Sequence, residues 1–295
     1  MAEANKTVGS GSLLIAWQLK DKTVAIIGGG DVASQRVDSL LATDAQIHVV
    51  APASGLHPRS STLIAKYSDR VTHIDTEFAF SSSFNLADVK TSETLGANVD
   101  LFRYDMVLTA LDDADLSRRI VEACRARRIP VNAADIPDLC DFYFGGQVRD
   151  GPLQIMISTN GNAPRLAALI KNTIKDSLTG YEGEALVRVG KLRNKLKVRA
   201  PGVGGDIGKR RMKWMSGICE RWPMKELSEL DETTMDWLLD EGWENGKVLD
   251  PPKKNSGFSF SSSVLDAGTV VKAGAVALGF LFAHRVLVPY LSSKR

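Results

Sequence analysis

The 295-residue chain has few of the residues that hold metals or cross-link a fold. Its three cysteines, Cys124, Cys140 and Cys219, are widely spaced. That spacing gives neither a disulfide framework nor a Cys-x-x-Cys metal motif, and it suits a reducing compartment. Four histidines, His48, His57, His73 and His284, are equally scattered, so no preformed metal cage is expected. Charge of one sign is missing too. The formal net charge is +2, which argues neither for nor against a polyanion, and no nucleic-acid partner is expected. Basic residues do gather locally, at Lys191, Arg193, Lys195, Lys197 and Arg199 and again at Lys209, Arg210, Arg211 and Lys213. They are either a solvated helix face or a surface for a partner with many negative charges. Long apolar runs are also absent. Residues 264–291 are markedly apolar, but Lys272, His284 and Arg285 interrupt them, and the longest stretch without an ionisable side chain, Ala273 to Ala283, is 11 residues. A spanning helix needs about 20, and a central arginine costs about 2.5–3.5 kcal/mol on insertion scales. A helix packed on the body or on a partner is therefore preferred to membrane contact through residues 264–291. Met1 to Ser12 is polar and glycine-rich, without the apolar core of a secretory signal, and a cytoplasmic location is expected.

What is present begins at Thr23-Val24-Ala25-Ile26-Ile27-Gly28-Gly29-Gly30-Asp31-Val32-Ala33. A β-type run enters Gly-x-Gly-x-x-Ala directly, and a helical pattern follows with Val37, Leu40 and Leu41 on one face. A second strand, Gln46 to Val50, completes the βαβ spacing. In such a unit Gly28 makes the tight turn, Gly30 lets backbone approach a pyrophosphate at the helix N-terminus, and Ala33 keeps helix and strand close. The acid that normally ends the second strand and meets the ribose is missing, since the chain reads Val49-Val50-Ala51-Pro52 there. No arginine stands at the strand end either, and Arg59 is several residues further on. NAD is therefore expected over NADP, its ribose met by backbone or by a neighbour such as Asp31.

Val71 to Ile74 and Met106 to Ala110 read as further strands, and Ala114 to Arg127 as a helix leading to the strand Val131-Asn132. Glu77 to Leu101 is polar, without a sustained period, and reads as an inserted surface loop. The alternation predicts an α/β fold, a Rossmann-type doubly wound parallel sheet, with its ligand at the carboxyl ends of the strands. The residues expected to line the dinucleotide are Gly28, Gly29, Gly30, Asp31 and Val32 at the first turn, Pro52 and Ala53 after the second strand, and Thr109 and Ala110 after the fourth. From Phe142 the texture changes to two strand-like segments, 142–148 and 153–158, joined by Arg149-Asp150-Gly151-Pro152. A helix then runs to Asp176, and helical patterns follow beyond Tyr181, broken at Pro201-Gly202-Val203-Gly204-Gly205 and resuming around Lys209 to Cys219 and Met224 to Glu241.

The stretch Val131-Asn132-Ala133-Ala134-Asp135-Ile136-Pro137-Asp138-Leu139-Cys140-Asp141-Phe142 leaves a parallel strand at the carboxyl edge with three acids. Asp138 and Asp141 can be explained as turn or capping residues. Asp135 comes directly off the strand end, beside the expected nicotinamide, where an enzyme that removes a hydride needs a base for the matching proton.

Together, Gly-Gly-Gly-Asp-Val-Ala at 28–33, Asn-Ala-Ala-Asp-x-Pro-Asp-Leu-Cys-Asp-Phe-Tyr-Phe-Gly at 132–145 and Leu-Gln-Ile-x-Ile-Ser-Thr-Asn-Gly-x-x-Pro-Arg at 153–165 resemble the fungal siroheme synthase family over about residues 13 to 245. That family is the bifunctional precorrin-2 dehydrogenase and sirohydrochlorin ferrochelatase. The resemblance implies NAD as cofactor, Fe²⁺ as a substrate, precorrin-2 and sirohydrochlorin as tetrapyrrole substrates, and Asp135 as the carboxylate serving both reactions. It also implies a homodimer built through the hairpin-and-helix region. The expected division is an NAD-binding domain over 1–145, a small α+β dimerisation region over 146–182, a helical C-terminal domain over 183–250, and a linker and apolar tail over 251–295. The substrates carry eight carboxylates on an apolar ring, so the pocket needs cations. Arg165, at a helix start after the turn Asn160-Gly161, is the best single clamp, and Asn160 is expected beside it. Phe142, Tyr143 and Phe144 are candidates for the macrocycle wall or for core. Two rival readings remain: a dehydrogenase without chelatase activity, and a non-catalytic dinucleotide-binding scaffold.

Overall fold

The structure, a computed structural model, describes residues 11–252 apart from 83, 86, 88 and 90–94. The apolar run Thr23–Ile27 becomes strand β1, buried from Val24 onward, and every later element of the first half is arranged about it. Strand β2 (Gln46–Ala51) pairs with it on one side and β4 (Met106–Thr109) on the other, both parallel; β3 (Val71–Asp75) and β5 (Val131–Ala133) complete the sheet in the order β3-β2-β1-β4-β5. This is the doubly wound order expected from the alternation, with β1 and β4 meeting where the winding reverses. The register aligns the carboxyl ends: Ile27 stands opposite both Val50 and Thr109, Thr109 opposite Ala133, and Ala51 opposite Asp75.

Helix α1 (Asp31–Leu41) buries Ala33, Val37 and Leu40 on one face of the sheet, where Val24, Ile26, Ile47, Val49 and Leu108 meet them. Helix α2 (Pro58–Lys66) extends that layer through Leu63 and Ile64. On the other face lies α3 (Ala114–Ala126), started by the Asp113 carboxylate, which accepts the Leu116 N–H at 2.8 Å.

The segment read as a surface loop does something else. Phe78, Val89, Leu95, Val99 and Leu101 are buried together with Ala25, Ile27, Val107, Ile120 and Val131. Phe78 meets Phe80 edge-on at 5.4 Å, Phe80 stacks on Phe84 at 4.7 Å, and the Arg119 guanidinium of α3 lies over Phe80 at 4.3 Å. The segment supplies the apolar cover that a helix between β3 and β4 would otherwise give. Its apolar residues follow no regular period, so periodicity could not reveal them.

The second half opens with a hairpin of β6 (Gly146–Asp150) and β7 (Leu153–Ile157). Its turn is only Gly151-Pro152, with Gly151 at φ +52°, so Arg149 and Asp150 belong to the strand rather than to the turn. Phe142 and Phe144 are not strand residues. They pack back on the first sheet, Phe142 against Trp17 at 6.1 Å and against Phe144 at 5.8 Å. Helix α4 (Pro164–Ser177) lies on the hairpin. Helices α5 (Glu182–Arg199), α6 (Gly205–Arg221), α7 (Met224–Ser228) and α8 (Glu232–Trp237), with a π-turn over Leu238–Trp243, bury Leu192, Leu196, Trp214, Ile218, Leu230 and Met235. Several cations of the basic run are taken up inside this helical region. Lys195 pairs with Glu232 and Asp236, Arg199 with Asp240, and Arg210 and Arg211 donate to the carbonyls of Trp243 and Ala200. Among the described residues no helix is long and apolar enough to cross a membrane; the stretch 264–291 lies outside them.

Burial of Phe78 distinguishes a structural cover from a dispensable loop. Phe78→Ala is expected to cost about 3–5 kcal/mol, as for a core phenylalanine, read by urea denaturation. A loss below about 0.5 kcal/mol, the surface range, would return the segment to a loop.

Candidate active site

The glycine turn is shaped by its two neighbours. The Gly28 N–H donates to the Val50 carbonyl at 2.9 Å, and the Ala110 N–H donates to the Ile27 carbonyl at 2.8 Å. Gly28 adopts φ +118°, and a Cβ there would lie 2.1 Å from the Ala110 oxygen, so no other residue fits. Gly29 is braced from behind. Its carbonyl accepts from the His57 N–H at 2.8 Å and the Ser60 hydroxyl at 3.1 Å, and a Cβ would meet Leu56 and Gly55 at 2.8 and 2.9 Å. At Gly30 a Cβ would meet nothing within 4 Å. The protein's own packing does not require glycine there, whereas a ligand lying against the backbone would. Gly30 is also the N-cap of α1 and supplies no side-chain cap, so the first-turn amides, those of Asp31 and Val32 among them, present the positive end of the helix.

Two further features suit a dinucleotide along this edge. Thr109 is 2% exposed, and among the described residues its Oγ1 has no hydrogen-bond partner. Such a buried orphan is costly unless a ligand or water completes it. The missing acid of β2 is replaced from β3: the Asp75 carboxylate accepts the Ala53 N–H at 2.7 Å, immediately after Pro52. Asp31 is turned along its own helix and accepts from Gln35 Nε2 at 2.9 Å. Arg59 is held by Asp38. The residues present therefore fit a dinucleotide, with Gly28 to Val32, Pro52, Ala53, Thr109 and Ala110 gathered on one edge.

Asp135 reaches the same edge by one more backbone step. The Ala134 N–H donates to the Thr109 carbonyl at 2.9 Å, so Asp135 follows β5 two strands from the glycine turn, about 10 Å at ordinary strand spacing. It is exposed and adopts φ +62°, a left-handed conformation that Asp tolerates better than most residues. The loop is held around it. The Cys140 thiol donates to the carbonyls of Ala133 at 3.1 Å and Ile136 at 3.4 Å, Leu139 is buried, and the Tyr143 hydroxyl donates to the Pro137 carbonyl at 3.4 Å. Burial pushes the Cys140 thiol above its usual range, which keeps it protonated as a donor. Of the other two acids, only Asp141 is engaged through its carboxylate among the described residues. Asp141 accepts from Arg125 Nε at 2.8 Å and from the Val131 N–H at 3.1 Å, closing the loop onto β5. Asp138 is exposed, and its carbonyl accepts from Arg125 at 3.4 Å.

Arg165 is exposed at the second position of α4, and Asn160, at φ +51°, accepts the Ser12 hydroxyl at 2.5 Å. No described contact joins either residue to the edge that carries Asp135. A cavity of about 890 Å³ lies elsewhere, where Met106 and Pro130 enter β4 and β5. Leu13 to Trp17, Phe142, Tyr143 and Met156 line it, and it touches neither the glycine turn nor Asp135. Among the described residues, no group of three or more His, Cys, Asp or Glu is placed to hold a metal ion. Sequence reading missed Asp75, Cys140 and the brace from His57 and Ser60, because each acts only through strand pairing or loop closure.

Three family descriptions match in order along the chain: NAD(P)-binding over residues 15–146, sirohaem biosynthesis protein central over 150–177, and sirohaem biosynthesis protein C-terminal over 181–249. The chain is 43% identical over 229 residues to the siroheme biosynthesis protein of Schizosaccharomyces pombe, covering 78% of this chain and 79% of that one. It is 30% identical to the Saccharomyces cerevisiae protein of the same description, covering 75% and 86%. A siroheme synthase of Thioalkalivibrio sulfidiphilus is 34% identical but matched over only 35% of its length. Among solved structures, one described as SirC, precorrin-2 dehydrogenase superposes with a TM-score of 0.50 at 18% identity, over 78% of this chain and 98% of that one, and so shares the fold. By identity and coverage, the chain belongs to the fungal siroheme biosynthesis protein family.

Proposed function

We propose that this chain is an NAD-dependent precorrin-2 dehydrogenase that also inserts Fe²⁺ into the sirohydrochlorin it forms. Membership of the siroheme family supplies the substrate class. The observation that carries the reading is the pair of backbone bonds, Ala110 to Ile27 and Ala134 to Thr109, that bring the ends of β1, β4 and β5 to one edge, with Asp135 two strands from the glycine turn. When bound, NAD⁺ supplies the hydride acceptor. Gly30 and the first-turn amides of α1 would hold the pyrophosphate, Pro52 and Ala53 would border the ribose, and Thr109 Oγ1 would be completed by the bound cofactor. Loss of a hydride from a ring carbon is matched by loss of a proton, which the Asp135 carboxylate takes. In chelation Fe²⁺ enters as substrate and two protons leave the pyrrole nitrogens; the same exposed carboxylate takes them one at a time, passing each to solvent before the next.

NAD is preferred to NADP because Asp75 places a carboxylate against Ala53, where a 2′-phosphate would be repelled, and Arg59 is already held by Asp38. Arg165 and Asn160 are assigned to tetrapyrrole carboxylates on the strength of their place at the start of α4. A homodimer through the hairpin and α4 is supported by Leu166 and Leu169, each about half exposed on α4, by Ile170 on the same helix, and by Met156, exposed on β7. The cytoplasm is the proposed location, in keeping with three free cysteines.

Three experiments bear on these assignments. Gly30→Val introduces a side chain into open space, so the protein should stay folded while NAD⁺ binding, by calorimetry, is lost. Chelation of supplied sirohydrochlorin should persist. Retained NAD⁺ affinity would remove the pyrophosphate from Gly30. For selectivity, Asp75→Asn should weaken NAD⁺ and strengthen NADP⁺, narrowing the ratio of the two dissociation constants by about tenfold, one 1.4 kcal/mol step; an unchanged ratio would exclude Asp75. Finally, Asp135→Asn keeps shape and left-handed backbone but is not a base at neutral pH. Both the NAD⁺-dependent absorbance change with precorrin-2 and Fe²⁺ insertion should fall about 10²–10⁴-fold. Loss of the first alone would leave a dehydrogenase without a shared carboxylate, and loss of neither would sink the mechanism.

A further inference from the structure

Helix α1 carries one cation that the fold leaves without a counter-ion. Arg36 is partly buried, and the face it presents to the protein is apolar: its Cζ lies 4.2 Å from the centroid of Phe144. Among the described residues no hydrogen bond or ion pair takes up any of its five N–H donors. Several other arginines are engaged elsewhere. Arg59 is held by Asp38, Arg125 by Asp141, and Arg149 by Gln147 and the Ala42 carbonyl. Proteins seldom leave a partly buried guanidinium over an aromatic ring with no hydrogen-bond partner, because its lost hydration is then uncompensated.

The surroundings of Arg36 indicate what would compensate it. Burial pushes its pKa down, and Cys140 and Asp135 push it back up, so the guanidinium lies within electrostatic reach of the loop that carries the proposed base. Arg36 stands less than two turns from the N-terminus of α1, where the pyrophosphate is assigned, and faces Phe144, the end of the aromatic run that follows that loop. A ligand near Asp135 with both an apolar ring and carboxylates would meet the ring of Phe144 and the fork of Arg36 together. Guanidinium and carboxylate make short, charge-assisted and often bidentate bonds.

We propose that Arg36 is a substrate-positioning residue that receives a carboxylate of the tetrapyrrole and so sets the macrocycle against Asp135. The inference rests on the proposed function and adds to it a residue that fixes the substrate's orientation. Such a charged hydrogen bond corresponds to about a 10- to 100-fold change in affinity.

The test measures dissociation constants for sirohydrochlorin and for NAD⁺ separately, by absorption titration and calorimetry, on the full chain. Arg36→Met keeps the apolar stem and removes the charge, while Arg36→Lys keeps the charge and loses the fork. Sirohydrochlorin binding should weaken about 10- to 100-fold in Arg36→Met and by an intermediate factor in Arg36→Lys, with NAD⁺ affinity and melting temperature unchanged. If the wild type binds sirohydrochlorin and Arg36→Met binds it equally well, Arg36 has no such role and the proposed function stands. If both variants lose the two ligands and thermal stability together, Arg36 is a structural residue. If the wild type itself binds no tetrapyrrole, the proposed function falls first, and this inference with it.

Discussion

The close approach of two backbones at the end of β1 governs the geometry of the carboxyl edge. Gly28 is pressed so near Ala110 that a single carbon would overlap the carbonyl oxygen, and its N–H is already given to Val50. The turn is thus clamped between β2 and β4 before the helix begins. That clamp decides where α1 starts, which way its amides point and how far β4 lies from the turn. Asp135, Thr109 and the Pro52–Ala53 corner are all placed relative to it by hydrogen bonds of ordinary length.

Parts of this were written locally in the chain. The strands of the sheet are short apolar runs between turn residues, and Gly28, Gly30 and Ala33 stand at a spacing with a mechanical meaning, so the doubly wound order and the ligand edge follow from pattern alone. The proposed base, Asp135, could be singled out because it is the first acid after a strand end. The burial of Phe78, Leu95 and Leu101 was not legible, since these positions follow no regular period in sequence. The hairpin boundary shifted for a related reason. Phe142 and Phe144 look like strand residues, but an apolar surface already formed by α1 and β4 attracts them more strongly than a ladder partner does.

The electrostatic details were the least legible. An acid absent from β2 reappears from β3, because Asp75 is in register with Ala51, and register is a property of the sheet rather than of either strand. Likewise Asp141, readable from sequence only as a turn or capping residue, is taken up by Arg125 and the Val131 amide. Proximity in sequence says little about which carboxylate is left for chemistry. Hydrogen bonding sets Asp141 apart, and position at the strand end distinguishes Asp135 from Asp138.

The left-handed backbone of Asp135 has an evolutionary corollary. Two filters act on one position: side-chain chemistry and backbone conformation. Glycine, asparagine and aspartate pass the second at low cost, and of these only aspartate carries a titratable group. A glutamate would keep the charge but fits the conformation worse, and an alanine would lose the charge and fit no better. The position is therefore a trap in sequence space. A lineage that gives up the carboxylate has asparagine or glycine as its easy exits, and both leave the fold intact without the proposed base. A descendant that had abandoned the chemistry would thus be recognisable by one residue in an otherwise intact scaffold.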